Sequence, residues 1–579
     1  EFLRALDPSY VFFTKQEVLS LSSKKGEIEK AMKGEDLGWI LDVFTLYQQK
    51  MKERVAEFKS HTPPPVSSFS VPLSWQDDPY LFQAFSEHQI LSHMGPAGGD
   101  RKKAYQLWMD HFTKMTDNAS QMTQKVLVQV FLRSYAQACD PHSLYLSPAQ
   151  KNHFQQQVNK VVEGIGFSWK IVEDGRIVVQ AITPESPAST SGLLALDEII
   201  SVILPEGEMV LLGKSQAEVA QVFSKVSEHT QFKIKRGAET STIVINSARI
   251  ALTSSLASEH FFIVNGKKVL SINIPSFYRD PQNPNRRGGS MTKDVYDIIK
   301  KAKENSIPPD LIVLDFRGNA GGILAEAASL LGLFMEKGIS TQVRTANSKA
   351  QSLDIEPYVV WSGPLMAFVD HRSASASEIV VSSLQDYRRA LVVGQQTYGK
   401  GSAQTLFDLD ALAKLPTSVF GQVNLTTMMF HRPNGQAVQL HGITPDLVLL
   451  PSMSHTGERS FRHILENSEN APDLTKQVSQ TTYNTTWYIH LNKGQEYLEQ
   501  SLFKKEWYSL FVKTLEPPVS SVSLNASDRA YRAMRKASER QKLQALLERE
   551  QKEHSAYGKD VLLQYAIKSG LEVFYPRPS

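Results

Sequence analysis

Between residues 268 and 450, short apolar runs of strand length alternate with stretches of helical periodicity. The helical stretches cover 290–304, 323–336 and 376–386. The apolar runs are KVLSINI (268–274), LIVLDF (311–316), LMAFVD (365–370) and ALVVG (390–394). Strands that alternate with helices in this way are typical of α/β proteins. This part of the chain is therefore predicted to form an α/β core.

The flanking regions differ from this core, and a length of 579 residues leaves room for several domains. Residues 1 to about 60 and 78 to 137 carry helical periodicity, interrupted by the proline-rich HTPPPVSSFSVP (61–72), and DPHSLYLSP (140–148) is typical of a turn. We therefore expect a helical domain at 1–150. After about residue 455 the chain is helical and charged, which predicts a helical domain at 456–579 with a long helix over 527–554.

Residues 151–250 have the pattern of a compact β-rich module. GIGFSWKIVEDGRIVVQAI (164–182) alternates and is rich in β-branched residues, with Asp174-Gly175 as a hairpin turn. A short helix near PESPAST (184–190) and the strand LDEIISVIL (196–204) should follow. A helix over 215–228 should then precede two strands, QFKIKR (231–236) and STIVINS (241–247), joined around Gly237.

Charge and hydropathy exclude some classes of function. The chain has 63 basic and 60 acidic residues, interspersed, and a net charge of +3. This balance gives no electrostatic basis for binding nucleic acid. No window approaches 18 consecutive apolar residues, so no transmembrane helix is predicted. Cys139 is the single cysteine, which precludes an intramolecular disulfide.

The stretch GQQTYGKGSAQ (394–404) follows an apolar run and comes close to a phosphate-binding P-loop. A P-loop lysine is followed by Ser or Thr, which reaches Mg²⁺, whereas Gly401 follows Lys400 here. The loop should also open a helix, yet SAQTLFDLD (402–410) carries no sustained helical pattern. Nucleotide binding is therefore not expected, and Lys400 needs another explanation.

Nucleophilic catalysis is one such explanation. The segment SASASE (373–378) lies between the strand LMAFVD and a helix, a position that exposes a serine beside free backbone amides. Each of these serines could instead cap the helix. His371 is a poor candidate for a general base because it lies only four residues before Ser375. Lys400 could act as the base if burial lowered the pKa of its amine. The residues alone leave these alternatives open.

Seven segments, in this order, resemble the carboxyl-terminal processing peptidases, and the helical flanks together with DPHSLYLSP resemble the tail-specific protease branch of that bacterial family. The segments are GIGFSW, IPSFY, LDFRGNAGG, VDHRSASASEIV, LQDYRRALVVG, TYGKGSAQ and HGITPDLVL. The resemblance implies a protease core at 251–455 in which Ser375 is the nucleophile, Lys400 the general base and Gln404 its orienting partner. It also implies an oxyanion hole formed by backbone amides of Ala376 and of the Gly321-Gly322 turn.

The β-rich module resembles a PDZ domain. Gly164, Ile165, Gly166 and Phe167 match the loop that holds a terminal carboxylate, and the following strand would pair with an extended peptide. Leu196 departs from the pattern, because a glycine usually precedes the aspartate there. The expected function is a serine endopeptidase that recognises apolar C-terminal tails of proteins and needs no metal or other cofactor. An inactive PDZ scaffold and a Ser–Lys hydrolase of lactams or esters are the alternatives.

Expectations about location and partners rest on the same resemblance. The first residues, EFLRALDPSY, lack the features of a signal peptide, so the protein is either cytosolic or begins after a removed signal. The resemblance favours an exported, periplasmic enzyme. Its partners would be protein substrates with apolar tails and no nucleic acid. A homodimer and peripheral association with a membrane are two further expectations.

Overall fold

The computed structural model of the chain describes most of its residues. These residues are 1–60, 68–69, 74–78, 81–93, 100–151, 154, 161–172, 176–183, 186–212, 214, 216–227, 229–251, 256–285, 287–304, 308–345, 348, 350–415, 419–452, 456–466, 470–475, 486–514, 522–523, 538–539, 541–551 and 560–576. The predicted hairpin turn Asp174-Gly175 and much of the predicted helix 527–554 lie outside them.

The N-terminal region is helical, as predicted, and has its own aromatic-rich core, which includes Trp39, Trp108 and Phe112. Its helices are α1 (Phe2–Leu6), α2 (Lys15–Ser23), α3 (Lys25–Lys33), α4 (Gly38–Ser60), α5 (Leu81–Ser92), α6 (Arg101–Gln121) and α7 (Gln124–Cys139). Two strands, β1 (Ser68–Phe69) and β2 (Leu144–Leu146), accompany them. The strand β2 was not predicted, because DPHSLYLSP has the composition of a turn.

The β-rich module forms one sheet of six strands over a small apolar core. Its elements are β3 (Val161–Gly164), β4 (Phe167–Ile171), β5 (Ile177–Ile182), α8 (Pro187–Thr190), β6 (Glu198–Leu204), β7 (Gly207–Val210), α9 (Gln216–Ser224), β8 (Thr230–Arg236), β9 (Glu239–Ile245) and β10 (Ala248–Ala251). The sheet order is β4-β5-β6-β8-β9, with β7 beside β6. The first and last strands, β3 and β10, pair antiparallel in a separate two-stranded ribbon.

Leu196, the residue where a glycine was expected, keeps the backbone conformation that glycine would adopt. Its φ is +75° and its side chain is 80% exposed. A left-handed conformation costs a non-glycine residue roughly 1–2 kcal/mol. The turn is retained here at the expense of local strain.

The α/β core contains a mostly parallel sheet in the order β11-β12-β13-β16-β17-β20. The predicted strands and helices of this region are confirmed. The strands are β11 (Ser258–Val264), β12 (Lys267–Asn273), β13 (Leu311–Asp315), β16 (Leu365–Val369), β17 (Leu391–Gly394) and β20 (Leu447–Val448). The helices are α10 (Met291–Glu304), α11 (Leu324–Gly332) and α12 (Ala376–Asp386).

A second, antiparallel sheet joins the core to the N-terminal region. It consists of β15 (Gln351–Asp354), β14 (Ile339–Thr345), β19 (Gln422–His431) and β18 (Ser402–Asp408), with the short helix α13 (Leu409–Leu412) following β18. Strand β2 of the N-terminal region pairs with β19. The segment after Lys400 is therefore a strand, which agrees with the rejection of a P-loop.

Alternate residues of the parallel strands face two separate apolar clusters, one on each side of the sheet. Helices α10 to α12 cover one side. The C-terminal helices cover the other: α14 (Leu491–Ser501), α15 (Glu506–Thr514), the helical stretch 541–551 and α16 (Val561–Phe574). A small strand, β21 (Val522–Ser523), pairs with β1. In the described part of the chain, no helix combines the length and the apolar composition that crossing a membrane requires.

Candidate active site

Three parallel strands, β13, β16 and β17, end at the same edge of the core sheet, and the segments that follow them carry the predicted site residues. Gly321-Gly322 follows β13, Ser375 follows β16 and Lys400 follows β17. In a parallel sheet, functional residues commonly collect at this carboxyl edge. Residues that are far apart in the sequence are thereby brought to one place.

Ser375 is the residue before α12 and has a strained backbone, with a φ of +57°. The two flanking serines are fully buried, and their hydroxyl groups donate to backbone carbonyls: Ser373 to Phe316 O (2.9 Å) and Ser377 to Asn319 O (3.0 Å). Ser375 is only half-buried. Of the three serines in SASASE, the central one is placed to meet a substrate.

The Gly321-Gly322 turn packs against the Ser375 turn. A Cβ atom on Gly321 would lie 2.8 Å from Ser375 Cβ and 3.1 Å from Ala376 N, and one on Gly322 would lie 2.3 Å from Phe277 O. Both residues also have positive φ angles, +102° and +146°. Glycine is therefore required at both positions for this close approach.

The backbone amides of this turn are not equivalent. Gly321 N donates to Asn319 Oδ1 at 2.8 Å. Ala376 N is the first amide of α12 and lies in the helix turn that has no intrahelical acceptor. The arrangement therefore favours Gly322 N and Ala376 N as amides that could bind an oxyanion.

Lys400 lies in the loop between β17 and β18. Its Nζ donates to Gln404 Oε1 at 2.8 Å. Burial lowers the pKa of the Lys400 amine, while the nearby carboxylates of Glu458, Glu378 and Asp140 act in the opposite direction. The net shift favours the neutral amine, the form that can accept a proton.

Glu378, a residue that the sequence analysis did not single out, connects the serine to the lysine. Its fully buried carboxylate accepts four hydrogen bonds. Oε2 accepts from Ser375 N (2.8 Å) and Lys400 N (3.0 Å), and Oε1 accepts from Thr397 Oγ1 (2.6 Å) and Gly399 N (2.7 Å). One oxygen atom thus binds the backbones of both residues. The spacing S-x-x-E from Ser375 to Glu378, a capping-box pattern, was the available signal.

Burial raises the pKa of the Glu378 carboxyl to about 7, although the four donors act in the opposite direction. The shift follows from the cost of keeping a charge away from water. This carboxylate therefore changes its charge close to neutral pH, at the centre of the site.

The predicted tail-binding residues lie in the β-rich module, which has its own apolar core. Gly166 has a φ of +86°, and a Cβ atom there would lie 2.1 Å from Ser186 Cβ. The Ser186 hydroxyl is 3.1 Å from Gly166 O. Phe167 packs edge-on against Phe223 of α9, with a centroid distance of 5.4 Å. The loop 164–167 therefore packs against the segment around Ser186, and Phe167, at the start of β4, contacts α9.

Residues 268–449 match peptidase family S41. The predicted site residues Gly321, Gly322, Ser375, Lys400 and Gln404 all fall within this range, so the match covers the α/β core and the candidate site. Together with this match, the relatives described next show that the chain is similar to tail-specific and carboxy-terminal-processing proteases.

Three curated relatives are similar to more than half of the chain. The tail-specific protease of Haemophilus influenzae is 32% identical over 327 residues, which are 55% of this chain and 45% of that protein. The carboxy-terminal-processing protease of Bartonella bacilliformis is 27% identical over 331 residues (56% and 69%). The carboxy-terminal processing protease of Bacillus subtilis is 26% identical over 379 residues (64% and 72%). The chain thus spans less than half of the Haemophilus protein.

Among solved structures, the photosystem II D1 C-terminal processing protease is similar at 19% identity. The match covers 63% of this chain and 94% of that one, with a TM-score of 0.32.

Proposed function

We propose that the protein is a serine-type endopeptidase that hydrolyses peptide bonds with a dyad of Ser375 and Lys400. The observation that carries this proposal is the shared contact at Glu378, whose Oε2 binds the backbone amides of both residues. The hydrogen bond from Lys400 Nζ to Gln404 Oε1 supports it further. An inactive scaffold would have no need to hold a strained serine and a buried lysine on one carboxylate.

The proposed reaction follows from these positions. The neutral Lys400 amine removes the proton from the Ser375 hydroxyl as its Oγ attacks the scissile carbonyl carbon. The amides Ala376 N and Gly322 N stabilise the resulting oxyanion. The Lys400 ammonium then gives its proton to the leaving amine as the peptide bond breaks. A water molecule, deprotonated by the same lysine, hydrolyses the acyl-enzyme. This mechanism uses no metal ion and no nucleotide.

We propose that the module 151–250 is a PDZ-like domain that binds apolar C-terminal tails. A sheet strand follows the loop Gly164–Phe167, and α9 lies beside it with Phe223. An extended tail that pairs with β4 would direct its carboxylate to the loop amides and its apolar side chains to the aromatic rings. The domain division 1–150, 151–250, 251–455 and 456–579 belongs to the same proposal.

The dyad is tested by Ser375→Ala, Lys400→Ala and Lys400→Arg, each expected to lose cleavage of a short peptide while the fold is kept. The arginine variant should be inactive because a guanidinium stays charged. Ser373→Ala is the matched control, since it removes a hydroxyl group two residues away that donates to Phe316 O. Normal turnover by either lysine variant would rule out the assignment.

Tail recognition is tested with one unstructured protein that carries a free, an amidated or no apolar C-terminal tag. Charge-assisted hydrogen bonds contribute roughly 1.5–3 kcal/mol, so amidation should weaken binding about 10- to 150-fold. Equal cleavage of all three substrates, by intact and module-deleted protein alike, would exclude the module from recognition. A periplasmic location is the final part of this proposal, and cell fractionation of the full-length protein tests it.

A further inference from the structure

We infer that the turn Asp140–Ser143, at the end of the N-terminal helical region, is a positioning element for the base Lys400. The inference deepens the proposed function and rests on Lys400 being that base. Asp140 follows α7 and is only 4% exposed. It is not adjacent in the chain to any residue of the core, so its role is visible only in the folded protein.

A continuous chain of hydrogen bonds runs from Lys400 to Asp140. Lys400 Nζ donates to Gln404 Oε1 (2.8 Å), and Gln404 Nε2 donates to Thr426 Oγ1 (3.0 Å). Thr426 Oγ1 donates to Asp140 Oδ1 at 2.9 Å. Strands β18 and β19, which carry Gln404 and Thr426, pair at these two residues. Three hydrogen bonds therefore connect Lys400 with the N-terminal region.

Asp140 fixes the direction of every donor in this chain. An ionised carboxylate can only accept, so the Thr426 hydroxyl must give its proton to Asp140. Thr426 Oγ1 is then left as an acceptor for the Gln404 amide NH₂, which turns the Gln404 carbonyl oxygen towards Lys400. If the amide were reversed, its NH₂ would donate to the lone pair of the neutral Lys400 amine. The observed direction leaves that lone pair free to take the proton of Ser375.

The turn holds Asp140 firmly. Its Oδ1 accepts from His142 N (2.9 Å) and Ser143 N (3.0 Å), and its Oδ2 accepts from the Ser143 hydroxyl. Thr426 N donates to Ser143 Oγ at 3.1 Å, which ties the turn to β19. The carboxylate thus meets Thr426 in one fixed orientation.

A second connection from the same turn reaches the loop of the base from its other side. His142 Nε2 lies 2.8 Å from Glu458 Oε2, and Gln439 Nε2 donates to Glu458 Oε1 at 2.9 Å. Gln439 Oε1 in turn accepts from Gly401 N at 2.7 Å. The turn therefore supports both the side chain of Lys400 and the backbone of the residue after it.

Three carboxylates act on the charge of Lys400: Glu458, Glu378 and Asp140, and each favours the ammonium form against the effect of burial. Asp140→Asn removes one of these charges and keeps an oxygen that can accept from Thr426 and the backbone amides. The pKa of Lys400 should therefore fall in this variant, and the acid limb of the pH–kcat profile should move to lower pH.

The hydrogen-bond chain is tested by Thr426→Val, which removes the hydroxyl group at similar size. We expect kcat for a short peptide to fall about 10- to 100-fold, a part of the roughly 10²–10⁴-fold that general-base catalysis contributes, with KM nearly unchanged. Thr426→Ser retains the hydroxyl and should restore most of the rate. Thr427→Val is the matched control. The Thr427 hydroxyl bonds the Thr405 hydroxyl on the same pair of strands and takes no part in the hydrogen bonds from Lys400 to Asp140.

A second measurement does not depend on turnover. In the Ser375→Ala background, trace acylation followed by mass spectrometry gives the pH dependence of Lys400 reactivity. Asp140→Asn should move that dependence to lower pH.

If Ser375→Ala and Lys400→Ala are inactive while Thr426→Val matches Thr427→Val, the inference is overturned and the proposed dyad stands. An unchanged acylation profile in Asp140→Asn also overturns it. If the wild-type protein cleaves nothing yet the profile shifts, the proposed function fails, and the link between the turn and Lys400 is still supported.

Discussion

Replacing Glu378 with glutamine should loosen the loop of the base without removing either member of the proposed dyad. Glu378→Gln exchanges one carboxylate oxygen for an NH₂ group, which cannot accept. In the position of Oε1, the NH₂ group would face Gly399 N (2.7 Å) and the Thr397 hydroxyl (2.6 Å), and the hydroxyl can turn round to accept a hydrogen bond from it. In the position of Oε2, the NH₂ group would face Ser375 N and Lys400 N, and a backbone N–H cannot accept. The less costly arrangement therefore leaves one buried N–H without a partner.

A buried donor without a partner costs about 1–3 kcal/mol. Because each 1.4 kcal/mol is a factor of ten, amide hydrogen exchange in the segment 397–401 should quicken by about 10- to 100-fold. Peptide cleavage should fall as well, since the loop carries the base. Hydrogen exchange followed by mass spectrometry measures the first effect, and steady-state kinetics of a short peptide measures the second.

Asp446→Asn is a suitable control for this variant. Asp446 is also a carboxylate within the core, and it accepts from Val392 N at 2.8 Å and contacts neither Ser375 nor Lys400 through a described hydrogen bond. Its substitution should quicken exchange around Val392 and spare the segment 397–401. If Glu378→Gln left both the exchange of that segment and the cleavage rate unchanged, the bridging role of Glu378 would be refuted.

Three further predictions concern the site and the module. Gly322→Ala should reduce activity strongly and destabilise the fold by several kcal/mol, because the new Cβ would lie 2.3 Å from the backbone oxygen of Phe277. Peptide kinetics measures the first effect and thermal unfolding the second. Leu196→Gly should stabilise the module by about 1 kcal/mol, since glycine adopts its φ of +75° without strain, and a lower unfolding midpoint would contradict this. Burial raises the pKa of Glu378 from 4.5 to about 7, so the folded state holds an extra proton between these two pH values. The free energy of unfolding should therefore fall by about 3 kcal/mol through this group as the pH rises through that range. Urea unfolding of the wild type and of Glu378→Gln at pH 5 and pH 8 measures this loss. An equal change in the free energy of unfolding in the two proteins would contradict the raised pKa of Glu378.

The elements that the sequence predicted well are those whose apolar residues are consecutive or regularly spaced. The core strands such as Leu311–Asp315 and the helix Ala376–Asp386 appear where they were expected, because burial on the two faces of one sheet leaves a strong local pattern. The helical periodicity over 78–137 gave no sign of one break within it. One helix ends at Gln121 and the next begins at Gln124, where the Thr123 side chain accepts from Val126 N. A cap of this kind divides a continuous helical pattern without changing its periodicity.

The site was predictable to a different extent. The turn containing Ser375 could be placed from the sequence, and the family resemblance supplied Lys400 and Gln404. Glu378 had a local signal, its S-x-x-E spacing from Ser375, that the sequence analysis did not use. Asp140 was missed for a physical reason, because its partner Thr426 lies 286 positions away. Only the folded sheet brings such acceptors to their donors, and no local pattern reports a contact of this range.

The two-stranded ribbon β3–β10 makes the β-rich module an insertion with adjacent ends. Val161–Gly164 and Ala248–Ala251 lie side by side, so the chain enters and leaves the module at one place. Such an insertion can be exchanged without altering the path of the chain through the core. Under the proposed function, tail preference and bond cleavage could therefore change separately. Grafting a module of different specificity between residues 161 and 251 should then redirect the choice of substrate while the chemistry proposed for Ser375 stays the same.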